Sequence, residues 1–263
     1  MPANAPTILA LDFDGVLCDG LLEYFQAAWR TYCQIWSPPN PTPPPDLAAV
    51  FYRLRPVIET GWEMPVLIRA LLLGVTEQKI LQDWLNIAPQ LLREEKLNAT
   101  DIGAKLDSLR DHWIAGDLAD WLSYHRFYPG VAERLQQLLA DNSVLPVIIT
   151  TKEGRFVRQL LQQQAIDMPE KYIFGKELKR PKHSILRELL QAYAGNSAIW
   201  FVEDRLKTLE IVQQQPDLTA VRLYLAEWGY NTPQEREYAR QNPGVTLLSL
   251  SQFASVFSDW TEK

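Results

Sequence analysis

Asp12 and Asp14 stand one residue apart and are followed at once by Gly15, at the end of the apolar run Ile8-Leu9-Ala10-Leu11. Two carboxylates that close repel each other unless a cation or a proton sits between them. A glycine beside them lets the backbone approach whatever they hold. Three further stretches place polar groups after apolar runs. Thr150-Thr151-Lys152 follows Val147-Ile148-Ile149, Lys179-Arg180-Pro181-Lys182 precedes a helical pattern, and Glu203-Asp204 ends Phe201-Val202. A hydroxyl with adjoining backbone N–H groups suits a phosphate oxygen. Lysines suit the same anion, and acid pairs suit a hard cation. Taken singly, each stretch also reads as a turn, a solvated basic loop or a helix cap.

The elements that must position these groups alternate between strand and helix. Strand patterns fall at 8–11, 144–149, 172–174, 198–202, 220–225 and 245–250. Helical patterns fall at 131–139, 155–164, 184–193, 206–214, 232–241 and 251–257, with Ser251 as the expected N-cap of the last. Such alternation implies an α/β fold with a Rossmann-like parallel sheet covered by helices on both faces. Ligands of open parallel sheets bind at the carboxyl ends of the strands, where all four polar stretches fall.

Between the first strand and the rest lies a block with no alternating strand pattern. Its helices are expected at 21–36, 46–54, 63–72, 76–94, 100–116 and 117–124, with the proline-rich 37–45 as a stiff connection after the first. Six of the nine tryptophans fall between residues 19 and 125, where packing is their ordinary role. The chain therefore divides into an α/β domain of residues 1–18 and 126–263 and an inserted all-helical domain of residues 19–125.

The 263 residues are 47% apolar, enough for a sizeable core. No apolar run is long enough to span a bilayer, and the first residues lack a basic segment followed by an apolar one. Cys18 and Cys33 make neither a disulfide framework nor a zinc site. The expectation is a cytoplasmic protein without a membrane partner. A net charge of −6 argues against nucleic acid. Between Lys152 and Lys182, however, eight basic residues stand against four acidic ones, which suits a small anion. No motif specifies an oligomeric state.

The order acid-x-acid, hydroxyl, lysine, acid pair resembles the haloacid dehalogenase-like superfamily of hydrolases. Asp12-x-Asp14-Gly15-Val16 resembles its first motif, Thr150 its second, Lys179 to Lys182 its third, and Glu203-Asp204 its fourth. The inserted helical domain resembles the helical cap of that superfamily. Tyr128-Pro129-Gly130-Val131 and Glu227-Trp228-Gly229-Tyr230 resemble turns of its phosphoglycolate phosphatase branch. The third motif departs from the usual Lys-Pro, so Lys179 and Lys182 compete for one role, with Lys182 preferred because it lies nearer the helix.

The resemblance implies a magnesium-dependent phosphatase for a small phosphorylated metabolite. Asp12 would be the nucleophile and Asp14 the general acid and base. Thr150 and one of the two lysines would hold the transferred oxygens, with Gly15, Thr151 and Lys152 lining the phosphate site. The Asp12 side chain, the Asp14 backbone carbonyl and Asp204 would hold Mg2+, supported by Glu203. A sugar-phosphate mutase shares Asp12 and Asp14 and stays open. So does a phosphate-binding protein of this fold without turnover, although the complete acid set argues against it. A dehalogenase normally lacks the second acid. A phosphonate hydrolase needs a lysine in the helical block, where Lys79, Lys96 and Lys105 stand.

Overall fold

Four residues, Ile8–Leu11, form the strand at the centre of the molecule's sheet, and all four are buried. The computed structural model describes residues 5–193 and 198–261. Residues 1–4, which enter the expectation about the N-terminal segment, lie outside the described part. The strands are β1 (Ile8–Leu11), β2 (Cys18–Asp19), β3 (Arg126–Phe127), β4 (Leu145–Ile149), β5 (Ile173–Phe174), β6 (Ile199–Glu203), β7 (Arg222–Ala226) and β8 (Val245–Leu248). The six-stranded sheet runs β5-β4-β1-β6-β7-β8, with every pair parallel. Strands β2 and β3 make a separate antiparallel pair, Cys18 opposite Phe127 and Asp19 opposite Arg126. No alternation marks two residues, so the sequence carries no signal for this pair.

The chain divides into two compact units, one of residues 1–19 and 126–263 and the other of residues 20–125. In the first, both faces of the sheet are apolar, as expected for parallel strands. Ile8, Ala10, Val147, Ile149, Ile199, Phe201, Leu223 and Leu225 lie on one face. They pack against Ile185, Leu186 and Leu189 of a helix at Lys182–Ala192 and Leu206 and Leu209 of another at Leu206–Gln213. The alternate residues face the other way, because side chains switch sides at each residue of a strand. There Trp200 and Tyr224 meet Trp260, their ring centroids 5.6 and 5.3 Å from its own. The last α-helix, Leu250–Ala254, starts at Ser249 and not at Ser251. Ser249 and Gln252 form a reciprocal capping box, which satisfies two backbone donors and outcompetes a lone serine two residues later.

The second unit holds six α-helices: Leu21–Trp36, Leu47–Leu54, Glu63–Leu72, Glu77–Glu94, Ala99–Gly116 and Leu118–Ser123. An ion pair lies inside it. Glu23, fully buried, accepts from Arg110 Nε at 2.7 Å and Nη2 at 2.8 Å, and from Trp121 Nε1 at 3.3 Å. The proline-rich stretch is tied down where Trp29 Nε1 donates to the Pro41 carbonyl at 2.7 Å. Trp84, Trp113 and Trp121 are buried. Among the described residues, no helix is long and apolar enough to cross a membrane.

Candidate active site

Asp12 is the first residue past β1, yet its N–H still bonds the Val202 carbonyl of β6 at 2.9 Å. Thr150 is the first residue past β4, and its N–H bonds the Phe174 carbonyl at 2.9 Å. Each side chain therefore leaves a backbone pinned by the neighbouring strand, at the carboxyl edge shared by all six strands. Glu203 closes β6 and Asp204 follows it. Parallel pairing alone brings these four residues, distant in sequence, to one edge.

Burial and contacts separate the two lysines. Lys182 is the first residue of its helix, and its Nζ lies 2.9 Å from Asp12 Oδ1 and 2.7 Å from Glu203 Oε2. Lys179 is exposed, at φ 50° behind a short turn, and forms no ion pair among the described residues. Burial by itself lowers the Lys182 pKa, but the two carboxylates outweigh it and raise the pKa above the ordinary lysine value. Asp12 moves up to about 7, first because it is buried and despite Lys182, with Glu203 and Asp14 adding to the rise. Glu203 is also raised, by burial and by Asp204, against the pull of Lys182.

Asp204 is held from a loop that follows β7. Tyr230 N–H donates to Asp204 Oδ2 at 2.9 Å, and Asn231 Nδ2 donates to the Asp204 carbonyl at 2.9 Å. The Tyr230 hydroxyl donates to Asp19 Oδ1 at 2.9 Å. Two glycines make room. At Gly15, with φ +83°, a Cβ would lie 2.6 Å from Asp204 Cγ, and at Gly229 one would lie 2.5 Å from the Gly15 carbonyl oxygen. Asn231 is the positioning residue that sequence reasoning missed. Its signal was the adjoining Gly229-Tyr230 pair, which marks a turn but does not say which acid the turn holds.

The Asp14 side chain turns to Lys152, whose Nζ sits 3.2 Å from Oδ1 and 3.4 Å from Oδ2. Lys152 N–H donates to Thr150 Oγ1 at 3.1 Å. Thr151 is exposed beside it.

The acids that remain can hold a cation. Asp12, Glu203 and Asp204, all buried, each offer one carboxylate oxygen, and the three lie within 4.8 Å of one another. The donors are all oxygen anions, the set preferred by hard divalent ions. Formally, four carboxylates (Asp12, Asp14, Glu203, Asp204) face two ammonium groups (Lys152, Lys182), an imbalance that one divalent cation offsets.

The sequence matches no family model and no curated protein. Solved structures are similar over nearly the whole chain. A candidate phosphoglycolate phosphatase from Lactobacillus delbrueckii is 10% identical, with 94% of this chain and 95% of that one covered and a TM-score of 0.62. A candidate phosphoglycolate phosphatase from Haemophilus somnus is 16% identical, with 98% and 96% covered and a TM-score of 0.58. The fold is that of the haloacid dehalogenase-like hydrolases. A haloacid dehalogenase-like family hydrolase from Streptococcus pneumoniae is 14% identical, with 93% and 94% covered and a TM-score of 0.53. The acid pair follows the central strand, and the hydroxyl and the second acid pair follow its two neighbours.

Proposed function

We propose that this protein is a magnesium-dependent phosphatase that hydrolyses a small phosphorylated metabolite in the cytoplasm through an aspartyl-phosphate on Asp12. The observation that supports it most is the contact of buried Asp12 with Lys182, beside Thr150 and the Glu203-Asp204 pair. A carboxylate attacks a phosphate ester only where the charge on the phosphoryl oxygens is offset, and phosphoryl transfer depends chiefly on such positioning and electrostatics. Lys182 and the Thr150 hydroxyl would donate to those oxygens. A magnesium ion held by Asp12, Asp204 and Glu203 would add positive charge there and favour the anionic form of Asp12.

In the first step a bond forms between Asp12 Oδ and phosphorus while the bond from phosphorus to the leaving oxygen breaks. Asp14 gives its proton to that oxygen. In the second step a water attacks phosphorus, its proton passes to Asp14, and the bond to Asp12 breaks to release inorganic phosphate. The helical block inserted between Asp14 and Thr150 in the chain is assigned the choice of substrate.

The test is phosphate release from p-nitrophenyl phosphate with and without magnesium, for the wild type and for Asp12→Asn, followed by a panel of phosphorylated metabolites. Magnesium-dependent release that Asp12→Asn abolishes supports the proposal. Return of the phosphate to a sugar would make the protein a mutase. A folded, metal-loaded protein without turnover would leave only a binding role.

A further inference from the structure

Lys152 carries a charge into the site that the reaction, as written above, does not use. Its side chain is 8% exposed and that of Asp14 14% exposed, so the pair is largely withdrawn from water. The ammonium straddles the carboxylate, reaching both oxygens at 3.2 and 3.4 Å. These distances exceed those of a tight ion pair, yet the double contact restrains the rotation of the Asp14 carboxylate.

The backbone that carries Lys152 is itself held. Its N–H donates to the buried Thr150 hydroxyl oxygen at 3.1 Å, and its carbonyl accepts from Lys176 N–H at 3.0 Å. Two residues on, Gly154 N–H donates to Glu177 Oε2 at 3.0 Å. The segment after β4 is thus tied both to its own strand end and to the turn after β5. Asp14, by contrast, stands beyond the end of β1, next to Gly15 in the left-handed region; its backbone is bridged to Cys18 of β2, through Gly15 N–H to the Cys18 carbonyl at 2.9 Å and Cys18 N–H to the Phe13 carbonyl at 3.0 Å. A general acid must be held within hydrogen-bond reach of the atom it serves. The bridge to Cys18 fixes the backbone three residues past the end of β1 but not the side-chain torsions of Asp14, which need a restraint of their own.

We infer that Lys152 is a positioning residue, which holds the Asp14 carboxylate toward the reacting oxygens and does not itself bind the phosphate. The inference rests on the phosphatase reading and deepens it. It replaces the phosphate-binding role that the basic Thr150-Thr151-Lys152 turn suggests in sequence. Thr150 presents its hydroxyl to the site, and Lys152 aims the acid. Both come from one turn, so a single segment after β4 orders two parts of the reaction.

A double-mutant cycle on p-nitrophenyl phosphate tests it, with Lys152→Met, Asp14→Asn and both together, each folded by circular dichroism and saturated with magnesium. Lys152→Met is expected to lower kcat by roughly 10- to 100-fold without raising KM, a fraction of what general acid–base catalysis contributes. Lys152→Arg, which keeps a cation on a long stem, is expected to recover part of the loss. In the Asp14→Asn background, adding Lys152→Met is expected to change kcat by less than about 2-fold, because coupled residues are not additive. A rise in KM at unchanged kcat, or the full loss repeated in the Asp14→Asn background, overturns the inference and makes Lys152 a phosphate ligand. Should Lys152→Met fail to fold, Lys152→Gln is read the same way. If the wild type releases no phosphate, the phosphatase reading falls first. If it does and the cycle is additive, only the role of Lys152 falls.

Discussion

The ammonium of Lys182 lies 2.9 Å from Asp12 Oδ1, joining the start of a helix to the end of the central strand. The same nitrogen reaches Glu203, so two buried carboxylates share one lysine. Replacing it with methionine leaves both acids without that partner. Breaking a buried pair by removing one side costs about 3–5 kcal/mol. Lys182→Met is expected to lower the denaturation midpoint of the metal-free protein and to abolish turnover. Lys179→Met, at an exposed position, is expected to leave the midpoint and turnover near wild type. Urea titrations and phosphate release on the two variants compare them directly.

Asp204 and Glu203 supply two of the three clustered carboxylates. The double change Glu203→Gln/Asp204→Asn keeps the shapes and removes two anions, so magnesium affinity is expected to fall by at least about 100-fold. A ligand that binds only the folded state raises the melting temperature. Wild type is expected to gain stability with magnesium, and the double variant to show no gain at the same concentration. An equal gain in both proteins would remove the metal role from this pair.

Gly15 leaves no room for a side chain. A Cβ there would collide with the Asp204 carboxylate, and the backbone has φ +83°. Gly15→Ala therefore combines a left-handed backbone with a displaced acid, at a cost of about 1–3 kcal/mol for the backbone alone. It is expected both to destabilise the protein and to weaken magnesium binding. Titrating magnesium into the folded variant separates the two effects.

The buried position of Asp12 has a pH signature. Its folded pKa is raised from 3.8 to about 7, so between those values the folded state keeps a proton that the unfolded state has lost. Stability from this group is then fully present below about pH 4 and is lost as pH rises through about 7. Melting temperatures of the metal-free wild type are expected to decline across this window relative to Asp12→Asn, whose residue 12 does not titrate. Magnesium, which favours the carboxylate, is expected to flatten the difference. A constant offset between the two proteins from pH 4 to 7 would contradict the assigned burial of charge.

Much of this arrangement is legible in the sequence because it is written in short local patterns. The apolar runs that end in Asp12, Thr150 and Glu203 mark buried strands, and helical patterns between them call for parallel pairing. The inserted block at 20–125 is helical for the same reason, its apolar residues recurring at the spacing of a helix face. Where the signal was shorter than one structural period it failed. The two-residue pair β2 and β3 has no alternation to read, and the N-cap expected at Ser251 falls instead at Ser249, to which the Gln252 side chain reaches back.

The sequence by itself determined which residues stand at the strand ends, because strand and helix periodicities are local and each acid or hydroxyl follows its own apolar run. Only the tertiary structure decided their pairings. Lys179 and Lys182 are indistinguishable in composition, and the helix start at Lys182 directs that side chain, and not the exposed Lys179, to Asp12 and Glu203. Lys152 reads as a phosphate ligand in a basic turn, but strand order places it against Asp14, 138 residues away in the chain. Asn231 and Tyr230 meet Asp204 only because β7 lies beside β6. The physical reason is one of range. Backbone periodicity acts over a few residues, whereas an ion pair or a metal cluster depends on the distance between side chains on separate strands, which sheet order and register alone set.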